Sequence, residues 1–405
     1  MRSIVDLIET MSLLFLNTNE ISVSPHYVMC LMKSRVNEPN VVEAINLCKH
    51  MGDKTYFRGD HSLKDECERF MAKEWYPTER SDCGLFLNMD IDETEMNNKW
   101  GGFVDYMIDH DKIYENMDEI TERYIKYHDN LEFIREHNEG NHSYKLGVNK
   151  FADWSNEEYK EYVKRGSLGG LFKTTCPMSS DQTGSYPTSI DWRQKGIVNA
   201  VRDQGQRGTC YAHAVTEAVE GADAQKTGKL QKYSVEALVD CSSLTYGDMG
   251  DNGGSIEGSF NFIHDYGTTY DSSYPYGSKA GSCQKYTPLA QITGCYDVPH
   301  NELQLTYAVS KRLVAVAIQA DSRSFQLYSS GVYDDSKCYT GSLDHAVLTV
   351  GYGHDSSSNK DYWIVMNSWS ADWGVDGFIY LARNSVSTST IGTCGIAMDA
   401  SYPYF

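Results

Sequence analysis

The sequence predicts an α+β protein of two lobes, one helical and one resembling a β-barrel, with a helical segment ahead of both. Three observations lead there. Ile120, Tyr124, Tyr127, Leu131 and Ile134 recur in steps of four and three, the period of an amphipathic helix. From about Cys210 to Pro299 the apolar pattern stays helical. Beyond Pro299, short β-branched and aromatic runs bounded by Gly, Ser and Asp take over.

Composition narrows the classes. A chain of 405 residues can bury two or three cores. A net charge of -20, spread along the chain, argues against a nucleic-acid partner, which would need clustered Lys and Arg. With no run of 18 apolar residues, no membrane span is expected. Ile4 to Leu16 is apolar but broken by Asp6 and Glu9, and its Met11–Leu16 core is short for a signal peptide. Eleven cysteines suggest an oxidising compartment, as does the sequon at Asn141. Cys30, Cys48, Cys67 and Cys83 have no CxxC spacing, and neither metal nor cofactor is predicted. Residues 1–94 receive no function.

In chain order, the first clear element is the helix from Trp100 onward, with Glu119 and Arg123 placed for an i, i+4 pair. Gly166 to Gly184 is rich in Gly, Ser and Thr without hydrophobic period, and reads as an exposed connector where proteolysis concentrates. Helices follow at Cys210, at Ser234–Cys241, and at Ile256–Tyr266, stopped by Gly267. Strands are expected at Leu313–Ile318, His345–Val350, Tyr362–Met366 and Phe378–Leu381.

The chemistry centres on Cys210. A glycine-rich approach, Gln204 to Gly208, runs into the apolar-periodic residues Tyr211, Ala214, Val215, Ala218 and Val219, so Cys210 opens a helix. Free N–H groups and the helix dipole favour a thiolate there, the working form of the nucleophile. His345 opens a strand 135 residues later, and Asn367 closes another at 157. This Cys-to-His spacing and the Asn367-Ser368-Trp369 ending resemble the papain family of cysteine proteases, in its cathepsin L-like branch. Glu119-x3-Arg123-x3-Tyr127-x2-Asn130-x3-Ile134-x3-Asn138 resembles the ERFNIN signature of the propeptides of that branch. Gly147-x-Asn149-x-Phe151-x-Asp153 matches the companion GNFD pattern. The likeness covers about residues 95–405.

The resemblance implies a papain-like two-lobe fold behind an α-helical propeptide, made as a zymogen, with no cofactor. Residues 95–165 would be the inhibitory propeptide, 166–185 a linker cut near Tyr186, and 186–405 the peptidase. The segment after Asp153 would lie through the cleft as the enzyme's own inhibitor. It further implies hydrolysis through a thioester, with Cys210 as nucleophile and His345 as its ion-pair partner and proton carrier. Asn367 would orient the imidazole, and Gln204 would help stabilise the oxyanion. Trp369 would shield the His345–Asn367 bond. Asn252, Gly253 and Gly254 would pair with the peptide as an added strand, facing Asp344 and Trp369 on the opposite edge. Asp399 would floor the main specificity pocket, or Met398 or Ala400 in its place if the match slips by one residue. Polypeptides are the expected substrates and a monomer the expected form, acting in lysosomes or endosomes or outside the cell. No histidine-rich insertion suggests an exopeptidase.

Two features depart from the family. The cysteine expected before Gly208 is Arg207, and its disulfide partner is Asp251, which predicts an ion pair in place of the bridge, worth ~0–1 kcal/mol if partly exposed. His213 stands where an aromatic is usual and reads as a satisfied core histidine. The family bridges implied are Cys241–Cys283 and Cys338–Cys394, leaving Cys295 free or paired with Cys176. Two rival readings remain: a catalytically impaired binding protein of this fold, and a propeptide-type protease inhibitor.

Overall fold

A computed structural model describes residues 102–103, 105–115, 117–166, 176–180, 184–384 and 389–405. The unassigned segment 1–94 lies outside these residues, as does most of the predicted connector. The chain forms two compact units, residues 1–130 and 131–405.

In the first unit the described residues are held by rings. Phe103 packs edge-on to Tyr124 at 5.4 Å, and Tyr106 meets Tyr127 at 4.8 Å. The predicted Glu119–Arg123 pair forms at 3.9 Å. Helix α1, Met117–Glu139, runs across the unit boundary as one element.

The second unit is built on a nine-stranded sheet among the described residues. Strands β4 (Val314–Ile318) and β6 (His345–Asp355) are almost wholly buried, which is why they read as unbroken apolar runs. β6 pairs antiparallel with β4 and with β7 (Lys360–Met366), and β7 pairs with β8 (Phe378–Arg383). On the far side, β9 (Ala400–Tyr404) joins β4 to β3 (Gly294–Asp297). β5 (Tyr328–Tyr333) runs parallel to β8, and its free edge takes β1, the propeptide strand Tyr144–Leu146.

Helix α3, Cys210–Thr227, is buried along most of its length. Ala212, Ala214 and Ala218 keep its profile thin, and Val215 and Val219 share one core with Ala346, Leu348 and Val350 of β6. Ser234 caps α4 (Val235–Cys241) through the Ala237 N–H, and Ser255 caps α5 (Ile256–Tyr266) through the Gly258 N–H.

Helix α2, Asn156–Arg165, opens on a capping box between Ser155 and Glu158. Ahead of it, the Asn138 side chain makes two hydrogen bonds to the Leu146 backbone, and Asn149 donates to the Gln326 carbonyl. These amides anchor the propeptide turn, which explains the asparagines in both motifs.

Disulfides join Cys241 to Cys283, Cys338 to Cys394, and Cys176 to Cys295. Among the described residues Cys210 alone is a free thiol. The third bridge corrects the reading of 166–185 as uniformly exposed. Cys176 and Ser179 are buried, because residues 177–179 exchange backbone hydrogen bonds with Asp297 of β3 at 2.7 and 3.0 Å.

Candidate active site

Cys210 sits at the first position of α3 and is fully buried. Its sulfur accepts the Ala346 N–H at 3.5 Å, so the residue after His345 lies directly against the thiol. Helix start and strand start thus converge from two elements that share a core.

The imidazole orientation follows from one backbone donor. The Ser368 N–H bonds Asn367 Oδ1 at 2.8 Å, which settles which end of the amide is oxygen. The same oxygen lies 2.8 Å from His345 Nε2. Nε2 therefore carries the hydrogen, and Nδ1 keeps its lone pair. Trp369 is fully buried and stacks on the imidazole at 4.6 Å and 22°.

Gln204 lies in the same cluster. Its Oε1 accepts from Ser368 Oγ at 2.6 Å and its Nε2 donates to the Arg207 carbonyl at 2.7 Å. Ser368 escaped the sequence reading, although its place between Asn367 and Trp369 was the available signal.

The segment after Asp153 closes the site. Gly166, the residue after α2, accepts the Cys210 thiol at its carbonyl, 3.6 Å from sulfur. Phe151 packs on Trp369 at 5.2 Å, and Tyr159 and Tyr162 flank it. Tyr162 donates to the Gly205 carbonyl and Tyr159 to that of Ala320. Gly166 and these tyrosines were not singled out from the sequence.

Burial sets the charge state. It pushes the Cys210 thiol up to about 11, against the Ala346 N–H that favours thiolate. It pulls His345 down to about 4, against the bond to Asn367. Under the plug, burial thus opposes charge on both the thiol and the imidazole.

The predicted substrate contacts divide. Gly253 uses its N–H on the Gly208 carbonyl and its own carbonyl on the Met249 N–H, so its backbone is engaged inside the lobe. Asn252 is exposed. Gly254 is buried where a Cβ would come within 2.5 Å of Tyr211, so only glycine brings the backbone this close. The Asp344 carboxylate turns inward to the Ala320 N–H at 2.7 Å, and burial raises it to about 7. Its carbonyl, rather than its side chain, faces Gly166. Asp399 stands with Glu257 and Asp297. Burial raises it well above the usual range, and the neighbouring Glu257 adds to that. Met398 and Ala400 flank it, Ala400 being committed to the β9–β4 pairing.

The expected Arg207–Asp251 pair forms at 2.6 Å, with the Asp251 side chain partly exposed. Arg207 is buried and also bridges Glu236 through both terminal nitrogens, at 2.6 and 2.9 Å. Two carboxylates offset its desolvation, which a lone exposed pair would not need. His213 is the satisfied core residue expected, bonded at 3.0 Å to the Thr209 carbonyl and pulled down to about 3 by burial.

Comparison with known proteins agrees with this geometry. The family described as papain family cysteine protease matches residues 186–404, and the cathepsin propeptide inhibitor domain matches 103–159. The chain belongs to the papain family of cysteine proteases. Among papain-family relatives, the probable cysteine protease RD21B of Arabidopsis thaliana is 42% identical over 74% of this chain. The match spans only 65% of that relative's length. Cathepsin L of Sarcophaga peregrina is 40% identical over 74% of this chain and 91% of its own. Among solved structures, digestive procathepsin L 3 of Tenebrio molitor superposes with a TM-score of 0.70 at 36% identity, covering 76% of this chain and 99% of that one. A recombinant stem bromelain precursor gives 0.69 at 35% identity, covering 76% and 99%.

Proposed function

We propose that this papain-family chain is a cysteine endopeptidase made as an autoinhibited zymogen, acting as a monomer on polypeptides. The observation that carries this is the Gly166 carbonyl on the Cys210 thiol, within a cluster that already holds His345, Asn367 and Gln204. Such a plug is meaningful only over a site competent once uncovered.

Withdrawal of the plug lets water and substrate reach the sulfur, removing the burial that opposes charge on thiol and imidazole. The Cys210 proton then moves to the lone pair on His345 Nδ1. The thiolate attacks the scissile carbonyl, and the oxyanion meets the Cys210 backbone N–H and the Gln204 amide. His345 returns the proton to the leaving amine and later takes one from water to hydrolyse the thioester. Asn367 holds the ring throughout. Gly254 offers its backbone to the peptide, as does the Asp344 carbonyl across the cleft.

Residues 95–165 act as the inhibitor, the cut falls near the exposed Tyr186, and 186–405 is the working enzyme. The three disulfides support an oxidising location, in lysosomes or endosomes or outside the cell.

The test is an acid shift on the full chain with a fluorogenic peptide and dithiothreitol present. Turnover should begin with cleavage near Tyr186 and be absent from Cys210→Ala. Turnover that survives in Cys210→Ala would refute the thiol mechanism, and cleavage without turnover would favour a binding protein.

A further inference from the structure

We infer that Arg207 is a positioning residue for the oxyanion donor Gln204, a role that rests on the protease reading above. The Gln204 amide is held at its nitrogen by the Arg207 carbonyl and at its oxygen by Ser368 Oγ. The Arg207 guanidinium is itself held on every side: by Glu236 through two nitrogens, by Asp251 at 2.6 Å, and by the Gly277 carbonyl at 2.7 Å. Tyr276 lies against its face at 4.4 Å and donates from its hydroxyl to the Gln204 carbonyl at 3.0 Å. One buried cation thus ties residues 204–207 to three separate segments of the helical lobe.

Only a planar fork can serve both carboxylates and stack on the ring, so Lys is not equivalent. The double-mutant cycle of Arg207→Lys with Gln204→Ala tests this, with thermal unfolding recorded for each variant. Arg207→Lys alone should lower kcat on the order of tenfold with KM nearly unchanged. In the Gln204→Ala background the same change should have almost no effect on kcat. Should Arg207→Lys fail to fold, Tyr276→Phe enters the cycle in its place and should show the same non-additivity. Fully additive losses in kcat would overturn the role, as would a KM effect alone.

A second, independent observation concerns release of the inhibitor. Cys176 lies after the propeptide match, which ends at 159, and before the peptidase match, which begins at 186; it is nevertheless bonded to Cys295 of the peptidase. We propose that a cut near Tyr186 leaves the propeptide covalently attached, and that full activation needs reduction of Cys176–Cys295. This rests on the maturation cut proposed above. The strap is also hydrogen bonded to Asp297, beside Glu257 and Asp399. Linkage makes rebinding of the inhibitor intramolecular, which can strengthen it by about 10²–10⁴.

A thiolate of a dithiol attacks one sulfur, giving a mixed disulfide, and its second thiol completes the exchange. The protein gains two electrons and two protons as two thiols, and the dithiol leaves as its disulfide. Both cysteines are buried, so exchange follows lifting of the strap.

The test is acid maturation of the full chain without reductant, followed by dithiothreitol, with intact mass and peptide turnover recorded. The two fragments should stay joined until the dithiol is added, and turnover should rise only then, by at least tenfold. In Cys176→Ser with Cys295→Ser, fragments should part and turnover begin on cleavage alone. Fragments that separate without reductant, or full turnover while joined, would overturn the tether. Absence of any cut near Tyr186 would instead overturn the maturation reading on which it stands.

Discussion

Gly166 lies so close over Cys210 that a Cβ on it would come within 2.5 Å of the sulfur. Its φ of -78° is ordinary, so the demand for glycine is one of space alone. The plug reaches the nucleophile because its tip lacks a side chain. Gly166→Ala should therefore lift the tip without unfolding either partner. The expected result is self-cleavage near Tyr186 on the order of tenfold faster than wild type at the same pH, equivalent to about 1.4 kcal/mol of lost inhibition. Cleavage kinetics followed by gel would check it.

The plug also depends on an aromatic wedge. Phe151 is buried against Trp369, Trp154, Tyr159 and Tyr162. Phe151→Ala should weaken the closed state by about 3–5 kcal/mol, the usual cost of truncating a buried Phe. In the Cys210→Ala background, where self-cleavage is excluded, thermal unfolding should show the loss. Calorimetry of the two chains provides the measurement.

Acid should open the site through His345. Its pKa is about 4 when closed and near 6.5 when hydrated, so the open form binds more protons between those values. The closed form keeps its full advantage above pH 6.5 and loses it as pH falls toward 4. Cys210, raised to about 11, acts at the other end: it favours the closed form until the pH passes the ordinary thiol value. Asp344, raised to about 7, opposes the acid effect, since the closed site prefers its neutral form. Self-cleavage should start between pH 6.5 and 4, and Asp344→Asn, which fixes the neutral form that the closed site prefers, should move the onset to lower pH. The pH profile of cleavage in both chains decides.

The elements that place the nucleophile were legible in the sequence. Cys210 opens a helix because alanines and valines follow at helical spacing, and Ile256–Tyr266 ends at Gly267 as read. His345 and Asn367 lie on strands recognisable by composition, though β6 continues to Asp355 because Gly351 and Gly353 sit inside it. What stayed hidden was pairing at long range. Glu236 looks like a surface helix residue until Arg207 arrives from 29 positions away. Strand β1 is three residues long and exists only because β5 offers an edge. The strap at Cys176 has the composition of a linker, and only the partner Cys295 makes it ordered structure.

Specificity should follow the charge on Asp399. Burial and Glu257 raise its pKa, so if Asp399 floors the P2 pocket, apolar P2 side chains should be favoured at acid pH. As pH rises and the carboxyl ionises, preference for P2-Arg over P2-Leu should grow. Asp399→Ala should remove the pH-dependent part and leave P2-Leu cleavage within a few fold. Equal losses on both peptides would end this assignment.

The most direct measurement is alkylation of Cys210 by iodoacetamide, mapped by mass spectrometry, in the uncleaved chain at neutral pH and again after cleavage near Tyr186, reduction of Cys176–Cys295 and removal of the reductant. A thiol bonded to Gly166 and fully buried should stay unlabelled in the first sample and react rapidly in the second. Rapid labelling of Cys210 in the intact chain would show that its own propeptide does not cover the nucleophile.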